Sequence, residues 1–257
     1  MVASVTADPS LNWRVERVCH RAWPSLKEER HGDWVFRFSN GLSRRGNSAN
    51  PLGPNAGDVG AMLSTAAGAF SREGLPTLVR VPALLDASVE RDLIARHFAP
   101  EGETLTLYCD LPPMPMRRDP DVGIAPTPSD DWLQRVWDMK ALNAKDRDTY
   151  RAIVAALEIP CAFMGLKIGG EMVTMGFVAI HDRLLCIESL ITDPAHRGQG
   201  HARRLVGAML AWGIDQGVEG ACLQVVADND PAIRLYRNMG FVRELYRYRY
   251  WRQGVAG

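Results

Sequence analysis

The sequence predicts an α/β fold in which a central mixed sheet is flanked by helices. Three observations carry this reading. Short apolar runs alternate with segments of helical periodicity along the second half of the chain. Gly169-Gly170 joins two of these runs as a hairpin turn would. A loop with two glycines, Gly198 and Gly200, separates the apolar run Leu184 to Thr192 from an amphipathic stretch, Ala202 to Trp212, as in a strand-to-helix connection.

The elements follow in order. Leu11 to Trp23 reads as a helix and Trp34 to Leu42 as a strand, followed by a polar loop, Arg44 to Leu52. Asp58 to Glu73 is helical and stops at Gly74, a suitable C′ residue. Leu75 to Val81 is a strand, Ser88 to His97 a short helix and Thr104 to Leu111 a strand. Prolines then crowd the chain from Pro112 to Pro128, removing N–H donors and fixing φ, so an extended connection is expected. The domain junction is placed there: residues 1–112, a linker over 113–128 and a second domain over 129–257.

In the second domain Ser129-Asp130-Asp131 caps a helix, Trp132 to Met139, and another helix runs from Asp146 to Leu157. Cys161 to Ile168, Glu171 to His181 and Leu184 to Thr192 form three antiparallel strands. After the glycine loop and its helix comes a buried strand, Gly220 to Ala227. Asp230-Pro231 fits an N-cap with proline at the first helical position, Gly240 ends that helix, and Phe241 to Trp251 is the last strand. Strand, polar loop, helix, strand, helix, strand also describes the first half. That order suggests a degenerate internal repeat; an unrelated α/β extension is the other reading.

Composition narrows the class. The 257 residues carry 30 basic and 30 acidic side chains, so no charge imbalance points to nucleic acid or a membrane surface. The five cysteines are scattered, and no Cys/His spacing resembles a metal site. No signal peptide and no bilayer-spanning apolar run is present, which makes the cytoplasm the expected compartment.

The glycine loop carries the chemistry. Its glycines let the backbone approach a ligand, and the first N–H groups of the following helix are unpaired and partly positive. A phosphate or pyrophosphate suits such a place. The Gly-Lys-Ser/Thr ending of an ATP loop and the three glycines of a dinucleotide fingerprint are both missing. The pattern here is Arg197-x-x-Gly200-x-Ala202, and downstream stand Asn229, Ala232, Tyr236, Gly240 and Phe241. The first resembles the Arg/Gln-x-x-Gly-x-Gly/Ala loop of the GNAT family of N-acetyltransferases. The second is similar to that family's Asn-x-x-Ala-x-x-x-Tyr-x-x-x-Gly-Phe block. The likeness covers roughly Asp130 to Arg252, and the first half resembles what precedes the catalytic domain in tandem GNAT proteins.

The resemblance implies a GNAT fold and an acetyl-CoA-dependent transfer of acetyl to an amine by direct attack in a ternary complex. It implies that backbone groups of Leu190, Ile191 and Thr192 face the pantetheine arm and acetyl carbonyl. The loop residues Arg197, Gly198, Gln199, Gly200, His201, Ala202 and Arg203 would then hold the pyrophosphate, and Asn229 would bond the arm. Tyr236 matches the family's general acid, a phenol suited to protonate a thiolate. Glu188, an ionisable residue in an apolar strand, is the candidate base; strand alternation sets it on one side with Leu190 and Thr192. Gln224 stands where some members carry a carboxylate. His196 and His201 read as loop residues outside the family's required positions. Ser39, Ser43 and Arg44-Arg45 read as a solvated turn, with a reach into the acceptor pocket as the alternative. A small-molecule or peptide amine is the expected acceptor, acetyl-CoA the co-substrate, no metal is required, and the chain is a monomer or homodimer. A non-catalytic acyl-CoA-binding module is the competing function.

Overall fold

The computed structural model describes residues 9–112 and 118–253; residues 113–117 of the expected linker lie outside it. The first half runs α1 (Pro9–Ala22), β1 (Lys27–His31), β2 (Trp34–Phe38), β3 (Ala49–Pro51), α2 (Val59–Arg72), β4 (Leu78–Pro82), α3 (Ser88–Ala95) and β5 (Phe98–Asp110). The second runs β6 (Val122–Ala125), α4 (Asp130–Met139), α5 (Ala144–Ala155), β7 (Cys161–Ile168), β8 (Glu171–His181), β9 (Leu184–Thr192), α6 (His201–Asp215), β10 (Gly220–Val226), α7 (Asp230–Asn238) and β11 (Arg243–Gln253).

All eleven strands join one sheet in the order β1-β2-β3-β4-β11-β5-β10-β9-β8-β7-β6. The two halves are built alike. β1, β2 and β3 pair antiparallel and β3 pairs parallel with β4, as β7, β8 and β9 pair antiparallel and β9 pairs parallel with β10. The last strands are exchanged. β11 pairs with β4 and β5, and β5 pairs with β10, so each half's final strand lies beside the other half's penultimate strand.

Sequence alternation explains where β11 sits. Tyr246, Tyr248 and Tyr250 point into a core shared with α1, whereas Arg247 and Arg249 lie outward and both pair with Glu103 of β5. α1 packs across β8, β9 and β10, on the face also covered by α4 and α5, while α6 covers the opposite face. α2 and α3 close the first half's core over β2 and β4.

Three strands escaped the sequence reading. β1 is Lys-Glu-Glu-Arg-His, an edge strand with no apolar alternation, whose charges suit an exposed sheet edge. β3 lies inside the expected polar loop, and β6, the other edge, lies among the prolines. The cap of α7 also differs. Asn229 rather than Asp230 is the N-cap; its Oδ1 accepts from the Ala232 N–H at 3.2 Å, leaving Asp230 in the first turn and Pro231 beyond it.

Candidate active site

β9 and β10 pair only from Leu184↔Gly220 to Ile187↔Leu223. Beyond Ile187 the strands part, and among the described residues no strand pairs with the last five residues of β9 on that edge. A bulge marks the parting. Ser189 adopts φ 53°, a conformation costly for a residue with a Cβ, and the β8–β9 register shifts between Phe177↔Glu188 and Met175↔Ile191. Gly176 faces the bulge, so close that a Cβ there would meet Glu188 O and the Leu190 Cα at 3.1 Å. The bulge overturns the expected alternation. Cys186 and Glu188 lie toward α1, but Leu190 packs with the α6-side core and Ile191 with the α4–α5 core.

The parting opens a cleft of about 910 Å³. At one end is the glycine loop. Asp193 Oδ1 accepts from Ala195 N–H to start a single 3₁₀ turn, and Arg197 Nε donates to Thr192 O at 3.3 Å, drawing the loop back over the end of β9. Gly198 and Gly200 hold φ 74° and 81°, and open space surrounds both where side chains would stand. Gly200 is the N-cap of α6 and supplies no side-chain cap. The backbone N–H groups from Gly198 through Arg203 have no intramolecular acceptor among the described residues. The matching helix of the first half, α2, differs in the decisive way: Asp58 caps it with its own carboxylate. An anion fits one helix start and meets a negative charge at the other.

Of the residues expected around the donor, Leu190, Ile191, Thr192, Arg197, Gly198, Gly200, His201, Ala202, Arg203 and Asn229 line the cleft. Gln199 does not; its amide donates to Ala195 O at 3.4 Å and braces the loop. Thr192 Oγ1 is in a short hydrogen bond with Thr174 Oγ1, which leaves its backbone as the cleft-facing part. Arg203 is exposed at the mouth, whereas Arg204 is clamped by Asp119 and Asp121 and anchors the returning connection. His201 is buried with neither ring nitrogen bonded, an arrangement that the sequence did not foretell.

Tyr236 stands at the other end. α7 delivers it, the ring edge packs on Phe241 at 5.9 Å between centroids, and the hydroxyl has no protein partner among the described residues. Burial, with the Glu188 charge adding to it, pushes the phenol above its ordinary pKa. Glu188 is only 5% exposed and is held bidentately by Arg45, at 2.6 and 2.8 Å. Burial raises its carboxyl above the usual range against the pull of Arg45. Burial also works against the Arg45 charge, but the Glu188 carboxylate outweighs it and raises the guanidinium's pKa. Arg45 lies over the Trp23 ring at 5.1 Å and donates to Gln224 Oε1, which Tyr248 also bonds.

The polar turn therefore splits. Arg45 reaches the site and Ser43 lines it, but Arg44 pairs with Glu101 and lies over the Tyr250 ring, and Ser39 accepts from the Leu26 N–H within the core. Trp23, Arg45 and Lys140 also line the cleft. Trp23 and Lys140 carried no motif, and only an unpaired buried Glu188 hinted that a cation had to come from elsewhere.

Residues 13–251 match the family described as Probable histone acetyltransferase Rv0428c C-terminal. The chain belongs to this family of GNAT acetyltransferases. It is 20% identical over 234 residues to the uncharacterized N-acetyltransferase YobR of Bacillus subtilis, covering 89% of this chain and 93% of that one. A stretch of 98 residues is 34% identical to the N-alpha-acetyltransferase RimI of Mycobacterium tuberculosis, 37% of this chain and 60% of that one. The fold matches a GCN5-related N-acetyltransferase from Kribbella flavida with TM-score 0.69 at 15% identity, over 99% and 98% of the two chains. It also matches a tandem GNAT protein from the clavulanic acid biosynthesis pathway with TM-score 0.62 at 13% identity, over 82% and 76%. This acetyltransferase thus has the expected fold and reaction class, and no helix among its described residues is long and apolar enough to cross a membrane.

Proposed function

We propose that this acetyltransferase uses acetyl-CoA and transfers its acetyl group directly to an amine, with both substrates bound at once. The observation that carries the reading is the run of unpartnered N–H groups from Gly198 to Arg203 at one end of a cleft that has Glu188 and Tyr236 at the other. The N–H groups suit a pyrophosphate, the unpaired edge of β9 from Glu188 to Thr192 suits an amide-bearing arm, and the cleft is large enough for a long ligand. The side-chain amide N–H of Asn229 has no partner among the described residues and is available for that arm, since its Oδ1 caps α7 and its backbone N–H donates to Val226 O.

Glu188, its pKa raised by burial, takes the proton from the attacking amine. Tyr236, kept protonated by burial, returns one to the departing thiolate. Arg45 keeps the buried carboxylate in place between turnovers. No cysteine lines the cleft among the described residues, which supports direct attack over a covalent acetyl-enzyme. Residues 129–257 thus act as the catalytic half. Residues 1–112, whose matching helix start is closed by Asp58, supply Arg45 and part of the acceptor wall.

Initial rates measured across a grid of acetyl-CoA and amine concentrations check this. Double-reciprocal lines that intersect fit a ternary complex; parallel lines would overturn it in favour of an acetyl-enzyme.

A further inference from the structure

Three cysteines that are far apart in sequence meet beneath the catalytic cleft. Cys19 comes from α1, Cys186 from β9 and Cys222 from β10, the latter two being direct register partners. All three are essentially inaccessible. Cys19 Sγ lies 4.0 Å from Cys222 Sγ and 3.8 Å from Cys186 Sγ, and all three sulfurs fall within 4.8 Å of one another. For sulfur–metal bonds of about 2.3 Å, three sulfurs around one ion stand about 4.0 Å apart in a plane and about 3.8 Å apart in a tetrahedron. The sulfurs therefore stand close to a coordination triangle before any ion arrives.

We propose that Cys19, Cys186 and Cys222 form a three-thiolate site for a soft cation, copper(I). Thiolate ligands select copper(I) and zinc(II) among common ions, and the number of ligands separates the two. Zinc in a closed structural site takes four ligands, and where the protein supplies only three a water fills the fourth place, whereas copper(I) is satisfied by three thiolates. Glu188 Oε1 is 3.5 Å from Cys186 Sγ but lies outside the three-sulfur group, and both its oxygens are engaged by Arg45. With no fourth protein ligand in the group among the described residues, the three sulfurs fit a trigonal copper(I) site.

Cys19 lines a small cavity of about 10 Å³, close to the room that one water needs. That cavity shares Arg45 and Gln224 with the cleft, and Glu16, His20 and Arg37 with a surface hollow on the α1 side. Binding releases the thiol protons, so affinity rises with pH. It also replaces the S–H that Cys186 directs at Glu188 with a charged sulfur.

Reduced full-length protein, held without oxygen, is titrated with copper(I) delivered from a chromophoric chelator of known affinity. The expected result is one copper(I) per chain, near-ultraviolet thiolate-to-copper absorption, and three sulfur neighbours at about 2.3 Å by X-ray absorption on the wild type. Cys19→Ser should weaken binding by more than about 100-fold, since it removes a direct ligand. Cys161→Ser and Cys109→Ser should leave binding unchanged. Failure to hold copper(I) against the chelator, fewer than three sulfurs around it, or loss of binding in Cys161→Ser would each overturn the site. Zinc(II) retained in a parallel titration while copper(I) is not would overturn the assignment of the ion.

Discussion

At the scale of single residues, the proposed chemistry rests on two ionisable groups that burial moves in the same direction with different consequences. Burial raises the Tyr236 phenol, which keeps its proton available for the acid role proposed for it. Replacing it with Phe should lower kcat by about 10²–10⁴-fold while leaving coenzyme A affinity nearly intact. The melting temperature should hardly change, because the hydroxyl has no partner among the described residues to lose while the ring keeps its contact with Phe241. Unchanged turnover would remove Tyr236 as the acid. Glu188 is also raised, which makes it a better base but one that is protonated at higher pH than an ordinary carboxyl. The acidic limb of kcat/KM should therefore lie above the usual carboxylate range. Arg45→Met removes the charge that holds Glu188 down, so that limb should move to still higher pH. It also leaves a carboxylate buried alone, with a loss of about 3 kcal/mol in denaturant unfolding. A limb that moves to lower pH, or stays where it is, would show that Glu188 is not the titrating base.

At the scale of elements, the decisive feature is the end of β9. Its pairing with β10 stops at Ile187, and the bulge at Ser189 turns the next residues so that backbone, not side chain, lines the gap. The bulge depends on Gly176, whose missing Cβ admits the backbone of residues 188–190 and the Met209 tip. Gly176→Ala should press on two backbone atoms that cannot easily give way. A loss of about 1–3 kcal/mol in stability and a higher KM for acetyl-CoA are expected. Thermal melts and steady-state kinetics read both, and an unaltered KM would mean that β9 does not shape the donor site. The loop to α6 offers a contrast, since Gly200 at φ 81° has open space where a Cβ would stand. Gly200→Ala is therefore opposed by backbone strain of about 1–2 kcal/mol and not by collision. Coenzyme A binding by calorimetry should weaken as the N–H groups tilt, while the core stays intact.

At the scale of the whole molecule, the exchange of β5 and β11 ties the halves into one cooperative body. β11 is hydrogen-bonded on both sides by first-half strands, and β5 carries β10. α1 from the start of the chain covers second-half strands. Unfolding should follow one calorimetric transition, and residues 118–257 expressed alone should fail to give a cooperative melt, because both edges of β11 and one edge of β10 lose their partners. Two separated transitions would contradict this. Arg45 then belongs to the same rigid unit as Glu188, although 143 positions separate them in the chain.

Local periodicity was enough for much of this molecule. The bounds of β7, β8 and β9 follow from apolar runs punctuated by Gly169-Gly170 and by the glycine loop, because a strand buried on both faces must be apolar throughout. The helix starts at Asp58 and Ser129 follow from side chains that can bond their own first turns, whereas α5 begins just after its Asn143 cap, two residues before the expected Asp146. The open start of α6 was legible for the opposite reason, since glycines stand where a capping side chain would otherwise be. What periodicity cannot carry is anything that depends on distant neighbours. The edge strand β1 has no apolar code because it has no buried face to satisfy. The bulge at Ser189 is set by how β8 meets β9 and breaks the alternation that predicted which side Leu190 would take. The sequence by itself determined the helices, the central strands and the anion-ready loop, because these depend on contacts a few residues apart. Only the tertiary structure decided that Arg45 neutralises Glu188, that the final strands trade places and that three remote cysteines converge, because these depend on which segments a single sheet brings side by side.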